Sequence, residues 1–234
     1  MTIERHTPAR EGARRLSVAH FLAALAVWIV TAPFLSQLPY GEMLEAVLLT
    51  VVLLSAVMAV GGRRRTLIMA AVLVAPAVIA TWVHHFRPDV TPEVFRMAAA
   101  MVFIAFVAVH LLRFILRAPW VNSEVLCAAV ATYLLLGLLW GFAYELTAVL
   151  NPQSFVFTIG ANRSMIGFEA LYFSFGTLTN YYGDIIPVSN AARMLAMMEA
   201  TIGMFYIAVL IARLVALYAS RATPDTSKLV NDRS

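Results

Sequence analysis

Six stretches of mostly apolar residues, each about 18 residues or longer, recur along this chain of 234 residues. A helix needs about 20 apolar residues to cross the hydrocarbon core of a bilayer. Inside that core the backbone must satisfy its own hydrogen bonds, which restricts such stretches to helices. The sequence therefore predicts an all-α membrane protein with six transmembrane helices. The predicted spans are Val18–Leu38, Met43–Val60, Thr66–Val83, Phe95–Leu116, Val125–Val149 and Ala191–Tyr218.

The composition agrees with a membrane class, since 62% of the residues are hydrophobic and only 13% are charged. A soluble domain carries about 25% charged residues. We expect the first span to be retained, because its apolar stretch is long and no A-x-A cleavage site with a mature domain follows. The single cysteine, Cys127, lies inside the fifth span, so an intrachain disulfide is excluded.

Lys and Arg residues are distributed unevenly between the two sides of the predicted membrane. With the N-terminus inside, 13 of the 17 fall on the inner side and four on the outer side. The positive-inside rule therefore predicts that both termini are cytoplasmic. This asymmetry also explains the sequence pI near 9.5, so we do not expect nucleic-acid binding. The outer residues are Arg87, Arg96, Arg163 and Arg193.

The most specific motif lies between the fifth and sixth spans and reads LYFSFGTLTNYYGDIIP, at residues 171–187. Its order resembles the pore loop of six-transmembrane bacterial potassium channels, part of the potassium-channel superfamily. The resemblance extends over residues 125–218 and implies an outer helix, a re-entrant pore helix with a filter loop, and an inner helix. It also implies a homotetramer in a bacterial plasma (inner) membrane, in contact with lipids, because one loop per chain cannot close a ring of carbonyls.

In this family the dipoles of the pore helices favour a cation in a central cavity. The backbone carbonyls of a T-x-G-Y-G-D segment then replace the water shell of the ion. The resemblance places K+ or another monovalent cation at the carbonyls of this chain and implies no other cofactor. The predicted filter segment consists of Thr179, Asn180, Tyr181, Tyr182 and Gly183, and it lacks the first glycine and one residue of length.

Filter carbonyls point to one side because the backbone alternates between right- and left-handed conformations. Glycine adopts the left-handed ones freely, whereas other residues lose about 1–2 kcal/mol each. An ungapped alignment puts Tyr181 at the first glycine and strains it. An alignment with a deletion lets Asn180 supply the left-handed turn, which Asn tolerates best. We favour the second, in which Gly176 gives the loop room and a shorter carbonyl column weakens discrimination between K+ and Na+.

Polar residues around the predicted filter segment are further candidates. Asp184 would lie at the outer mouth, raise the local cation concentration and brace the loop through hydrogen bonds. Ser174 and Thr177 supply hydroxyls in the pore helix. Glu169 suits the N-terminus of that helix, either as a cap or with a role in conduction.

The sixth span contains the remaining candidates. Glu199 must face protein or water, with pore-helix hydroxyls or Asn180 as partners, or it is a packing residue. Gly203 is either a hinge of the inner helix or a site of close helix approach. Ile207 and Ile211, with neighbouring alanines, line an apolar inner pore or pack against the fifth helix.

Four regions are predicted along the chain: a cytoplasmic arm (1–16), a four-helix peripheral membrane domain (17–117), a pore domain (118–220) and a short cytoplasmic tail (221–234). Voltage sensing needs several arginines along the fourth span. Residues 97–112 contain only His110, and Arg113 and Arg117 lie at the inner end. We therefore expect no voltage gating and no soluble ligand-binding domain.

These features predict a cation channel and no enzyme. The membrane aspartate pair, the Gly-x-Ser-Gly setting and the H-E-x-x-H motif of intramembrane proteases are absent from the sequence. A small secondary transporter is an alternative, although no inverted repeat is visible. The other alternative is a non-conducting relative with a structural or regulatory role.

Overall fold

The computed structural model describes residues 8–35, 38, 40–60, 64–86, 93–160, 163–181 and 183–222. Six of its helices are long and apolar enough to cross a membrane, which confirms the predicted all-α class. A seventh, of 11 residues, lies where the pore helix is predicted. The helices are α1 (Pro8–Leu35), α2 (Gly41–Val60), α3 (Arg64–Phe86), α4 (Glu93–Arg117), α5 (Ser123–Leu150), α6 (Phe168–Leu178) and α7 (Asn190–Ala222).

The helices extend further than the predicted regions. Helix α1 begins at Pro8, inside the residues assigned to the N-terminal arm, and α7 runs to Ala222, just into the assigned tail. Residues 1–7 and 223–234 lie outside the described part of the chain. The boundaries of arm, peripheral domain, pore domain and tail therefore stay predictions.

Helix α5 is the element on which the rest of the molecule packs. Helices α1 to α4 contact one another in chain order, and both α1 and α4 contact α5. On its other side α5 contacts α6 and α7. We call α1–α4 the peripheral bundle and residues 123–222 the pore module. One apolar core joins the bundle to α5.

Polar residues mark the ends of the helices in the pore module. The side chain of Asn122 accepts a hydrogen bond from the Val125 N–H and caps α5. At the other end Asn151 is followed by Pro152, which cannot donate a backbone hydrogen bond to continue the helix. The hydroxyl of Ser189 accepts from the Ala192 N–H at the start of α7.

A short antiparallel ribbon, absent from the sequence prediction, flanks α6. Strand β1 (Phe155–Phe157) pairs with β2 (Ile185–Pro187), with Val156 opposite Ile186. The ribbon covers a second, smaller core that includes Tyr144 and Met165. It therefore ties the chain just after Asp184 to the chain just after α5.

Candidate functional site

The C-terminus of α6 leads directly into the predicted filter segment. Thr179 is the C-cap residue, and Asn180 follows with φ of 56°. The Asn180 N–H donates to the Thr177 carbonyl at 3.2 Å, and the Tyr181 N–H donates to the Gly176 carbonyl at 2.8 Å. This pair of hydrogen bonds around a left-handed residue is a Schellman motif.

The prediction that Asn180 supplies the left-handed turn is thereby confirmed. Asn180 is the non-glycine residue with positive φ among those described, so Tyr181 does not carry the strain that the ungapped alignment implies. Tyr182, the fourth residue of the predicted filter segment, lies outside the described residues.

Two glycines allow the loop to pass close to α6. A Cβ atom at Gly176 would lie 3.2 Å from the Tyr181 carbonyl oxygen, which confirms that Gly176 gives the loop room. A Cβ atom at Gly183 would lie 2.6 Å from the hydroxyl of Tyr172. The absence of a side chain at Gly183 therefore leaves room for the end of the Tyr172 ring, which would have to move to admit a larger residue. A hydrogen bond with Tyr181 raises the pKa of Tyr172.

The end of the loop at Asp184 is held at both its backbone and its side chain. The Asp184 carbonyl accepts a hydrogen bond from the Thr158 N–H at 2.8 Å. The Asp184 carboxylate forms an ion pair with Arg163, which also pairs with Glu169 in the first turn of α6. The prediction that Asp184 braces the loop through hydrogen bonds is confirmed.

Glu169 does not cap α6, so that interpretation is wrong. The N-cap residue is Gly167, which has no side chain to make the capping hydrogen bond. The carboxylate of Glu169 instead accepts from Nε and Nη2 of Arg163. Hydrogen bonding to Glu169 and then to Asp184 raises the pKa of Arg163, so the guanidinium stays charged between two carboxylates.

Arg163 is a site residue that the sequence does not identify. Its position between the fifth and sixth predicted spans gives it the ordinary interpretation of a surface charge. Its Nη1 also donates to the Ile159 carbonyl, and its guanidinium lies 5.3 Å from the centre of the Phe157 ring. The pairing of β1 with β2 brings these residues together. The sequence signal was only an arginine near two acidic residues.

Glu199 lies in a buried cluster between α5, α6 and α7. Its side chain is fully buried, with 0% exposure. One carboxyl oxygen contacts the hydroxyl of Ser174 and the other contacts the hydroxyl of Tyr144. A pore-helix hydroxyl is therefore a partner, as predicted, whereas Asn180 is not among the partners described. Tyr144 is a second partner that the sequence does not identify.

The other hydroxyls of the pore helix bond within it. Thr177 donates to the Phe173 carbonyl at 2.9 Å, and Thr179 donates to the Phe175 carbonyl at 2.7 Å. Both bonds satisfy carbonyls in the last turns of α6, one turn before each threonine. The two hydroxyls therefore stabilise the end of the helix that leads into the predicted filter segment.

Close packing accounts for Gly203. A Cβ atom there would lie 2.6 Å from Cδ2 of Leu178, so α7 approaches the end of α6 closely at this glycine. Ile207 and Ile211 are exposed, at 40% and 55%. Tyr206 faces α5 instead, and its hydroxyl donates to the Ala129 carbonyl at 2.7 Å. Both alternatives for Ile207 and Ile211, pore lining and packing against α5, therefore stay predictions, and their exposure leaves them a free face within one chain.

Comparison with known proteins identifies the same part of the chain. Residues 127–220, less than half of the chain, match the family model of an ion channel. No curated protein and no solved structure matches the chain. The matched range runs from the first turns of α5 to the last turn of α7. The fold and this match define a multi-pass membrane protein with an ion-channel domain.

Proposed function

We propose that four copies of this chain assemble around an axis and conduct monovalent cations passively across the membrane. The permeant ions are K+ and Na+, which bind at the backbone carbonyls of the predicted filter segment. Discrimination between them is weaker than in channels with a complete filter. Both termini are cytoplasmic in a bacterial plasma membrane, and the Arg163–Asp184 ion pair lies at the outer mouth.

The left-handed turn at Asn180 carries this proposal. Thr179 has φ of −97° and ψ of 5°, on the right-handed side, and Asn180 follows with φ of 56°. This single right-to-left step ends α6 and is the kind of step that a carbonyl-lined filter repeats, so that its carbonyls can replace the water around an ion. With one residue fewer than usual, the column has fewer ion sites and less power to discriminate.

The exposure of α7 supports assembly around an axis. Only 11% of its span is buried within one chain, against 56% of the α5 span. A helix that serves as the inner helix of a tetramer needs faces for its neighbours and for the pore. The exposed Ile207 and Ile211 suit an apolar inner pore that closes by dewetting.

The few charged residues of helix α4 support the proposal that the channel does not respond to voltage. His110 is the titratable residue between Met97 and Leu112, and Arg113 and Arg117 lie at the inner end. Arg96, at the outer end, contacts Glu145 of α5 at 3.6 Å and Glu93 at 3.8 Å. A series of arginines along the field, which steep voltage dependence requires, is not present in this span.

Ion flux through the purified full-length chain in liposomes tests the proposal. With K+ on one side and Na+ on the other, we expect a reversal potential close to zero. A potential near the K+ equilibrium value would contradict weak discrimination. Absence of flux would contradict the channel itself, and saturable flux coupled to a second solute would favour a transporter.

Two matched threonine variants locate the path of the ion. Thr147 and Thr179 each donate a hydroxyl hydrogen bond of 2.7 Å to the carbonyl four residues earlier. Only Thr179 lies in the predicted filter segment. We expect Thr179→Val to change the relative K+ and Na+ flux and Thr147→Val to leave it unchanged. Equal behaviour of the two variants would contradict conduction along this segment.

A further inference from the structure

The buried cluster of Glu199, Ser174 and Tyr144 has three hydrogen-bond contacts but only two hydroxyl protons to donate. Ser174 Oγ lies 2.7 Å from the Gly137 carbonyl oxygen and also contacts Glu199 Oε1. Tyr144 Oη contacts Glu199 Oε2. Unless one hydroxyl proton is shared between two acceptors, these three contacts need three protons, one in each.

Two of the three protons come from the hydroxyl groups. Ser174 and Tyr144 have one O–H each, and the carbonyl of Gly137 can only accept. A full hydrogen bond at 2.7 Å to this carbonyl takes the Ser174 proton, because the carbonyl cannot donate one. The contact between Ser174 and Glu199 then needs a proton on the carboxyl group of Glu199.

Among the residues that the structure describes, no cation is paired with Glu199 to stabilise an ionised carboxylate. In the described part of the chain, the ion pairs involve Arg96 and Arg163, and Glu199 takes part in neither. The titratable groups that face it are both on α5: the hydroxyl of Tyr144, in contact, and that of Tyr133, at longer range. Helix α6 contributes Ser174, a hydroxyl that does not titrate. A buried, unpaired carboxylate is costly to maintain.

We infer that Glu199 is held as a neutral carboxylic acid whose O–H donates to Ser174, which in turn donates to the carbonyl of Gly137. Tyr144 donates to the other carboxyl oxygen. This chain of hydrogen bonds links α7 to α6 and α6 to α5, directly before the predicted filter segment. Glu199 is thus a positioning residue for the pore helix. Its effect on ion discrimination rests on the proposed function, whereas its protonation does not.

Infrared difference spectra of the full-length chain in liposomes at pH 7 test the protonation. The spectrum of wild type minus Glu199→Gln should contain the carbonyl band of a protonated acid. Carboxylate bands in its place would overturn the inference. The matched control is Glu169→Gln, which should remove carboxylate bands because Glu169 is ion-paired with Arg163.

A second variant keeps the test decisive if Glu199→Gln does not assemble. Ser174→Ala removes the acceptor of the Glu199 proton and leaves the acid in place. The acid carbonyl band should then shift in frequency relative to wild type. An unchanged acid region in this variant would overturn the inference, because a proton on Glu199 would have lost its partner without effect.

Ion flux tests the positioning role. The amide of Glu199→Gln can donate to Ser174 and accept from Tyr144, so this variant should retain the wild-type ratio of K+ to Na+ permeability. Ser174→Ala should change the ratio by about threefold, the factor that one interhelical hydrogen bond represents. A wild-type ratio in Ser174→Ala would contradict the positioning role. Absence of flux in the wild type would contradict the proposed channel and leave the spectroscopic result valid.

Discussion

The peripheral bundle and the pore module are both helical and apolar, yet different interactions hold them together. All buried polar or charged side chains in the described part of the chain lie in the pore module. The peripheral bundle has a core of apolar residues, many of them alanine, such as Ala56 and Ala77. The buried polar residues are Glu124, Thr132, Glu145, Ser154, Ser174 and Glu199.

The contrast reflects what each region must specify. Lipid tails are as apolar as the helices, so helices in a membrane associate through close packing, small residues and hydrogen bonds. Apolar packing tolerates small shifts of one helix against another. The buried cluster of Ser174, Glu199 and Tyr144 does not, because each lost partner leaves an unpaired group in a low-dielectric interior. The contacts of α5, α6 and α7 around this cluster are therefore specified more sharply than the apolar contacts of the peripheral bundle.

The largest expected difference between the regions comes from backbone conformation at Asn180. Valine at this left-handed position costs about 1–2 kcal/mol per chain, and the proposed tetramer would bear that cost four times. We expect Asn180→Val to lower tetramer stability and ion flux, and Asn180→Gly to retain both. Thermal dissociation of the tetramer and liposome flux measure the two effects.

The peripheral bundle offers a control for this prediction. Thr50 of α2 and its neighbours have ordinary helical backbone, so Thr50→Val should have only the small effect of losing the hydrogen bond that its hydroxyl accepts from Trp82. Equal stability of Asn180→Val and Asn180→Gly would contradict the left-handed conformation and remove the contrast at this position.

The ion pair between Arg96 and Glu145 joins the two regions. Variants of this pair test how much the contact between the regions contributes to stability. Glu145 is buried, and Arg96 Nη2 lies 3.6 Å from its Oε1. Removing one partner of a buried pair costs about 3–5 kcal/mol, whereas apolar replacement of both partners is often neutral. We expect Glu145→Gln to destabilise the protein and the Arg96→Met, Glu145→Met double variant to recover most of the loss.

Glu93 is the matched control for this prediction, because it contacts the same arginine with a more exposed side chain. Glu93→Gln should cost less than about 1 kcal/mol, as for exposed ion pairs. Unfolding titrations in mixed micelles measure all four proteins. An equal loss of stability in Glu93→Gln and Glu145→Gln would show that burial of Glu145 does not increase the contribution of its ion pair to the free energy of unfolding.

The smallest expected effect concerns single hydrogen bonds between helices, one in each region. Trp82 donates to the Thr50 hydroxyl at 3.2 Å in the peripheral bundle, and Tyr206 donates to the Ala129 carbonyl at 2.7 Å in the pore module. Each bond should contribute about 0.6 kcal/mol. We expect Trp82→Phe and Tyr206→Phe to destabilise by similar small amounts in unfolding titrations. A much larger loss in Tyr206→Phe would sharpen the contrast between the regions.

Much of the fold follows from local signals in the sequence. The six spans follow from apolar length, and the short helix before the loop follows from its motif. The left-handed turn at Asn180 follows from a missing residue and from the known tolerance of Asn. The β1–β2 ribbon was not predicted, since three-residue strands have too few positions for a recognisable alternation.

Side-chain partners in the site were predicted less well. Glu199 was expected to bond with a pore-helix hydroxyl, and Ser174 is that partner. Its second partner, Tyr144, lies 55 residues away in the sequence, and no sequence pattern indicated this contact. Glu169 was expected at a helix N-terminus, where it lies, but Arg163 gives it a different role from a cap.

The sequence by itself determined how many helices are long and apolar enough to cross a membrane, where the loop lies between them and which residue takes the left-handed turn. These properties depend on the chemistry of neighbouring residues, which any local stretch contains. The tertiary structure alone decided that Arg163 joins Glu169 to Asp184 and that Glu199 meets Ser174 and Tyr144. Those contacts arise because the ribbon and three packed helices bring distant residues to hydrogen-bond distance, and no local pattern encodes that approach.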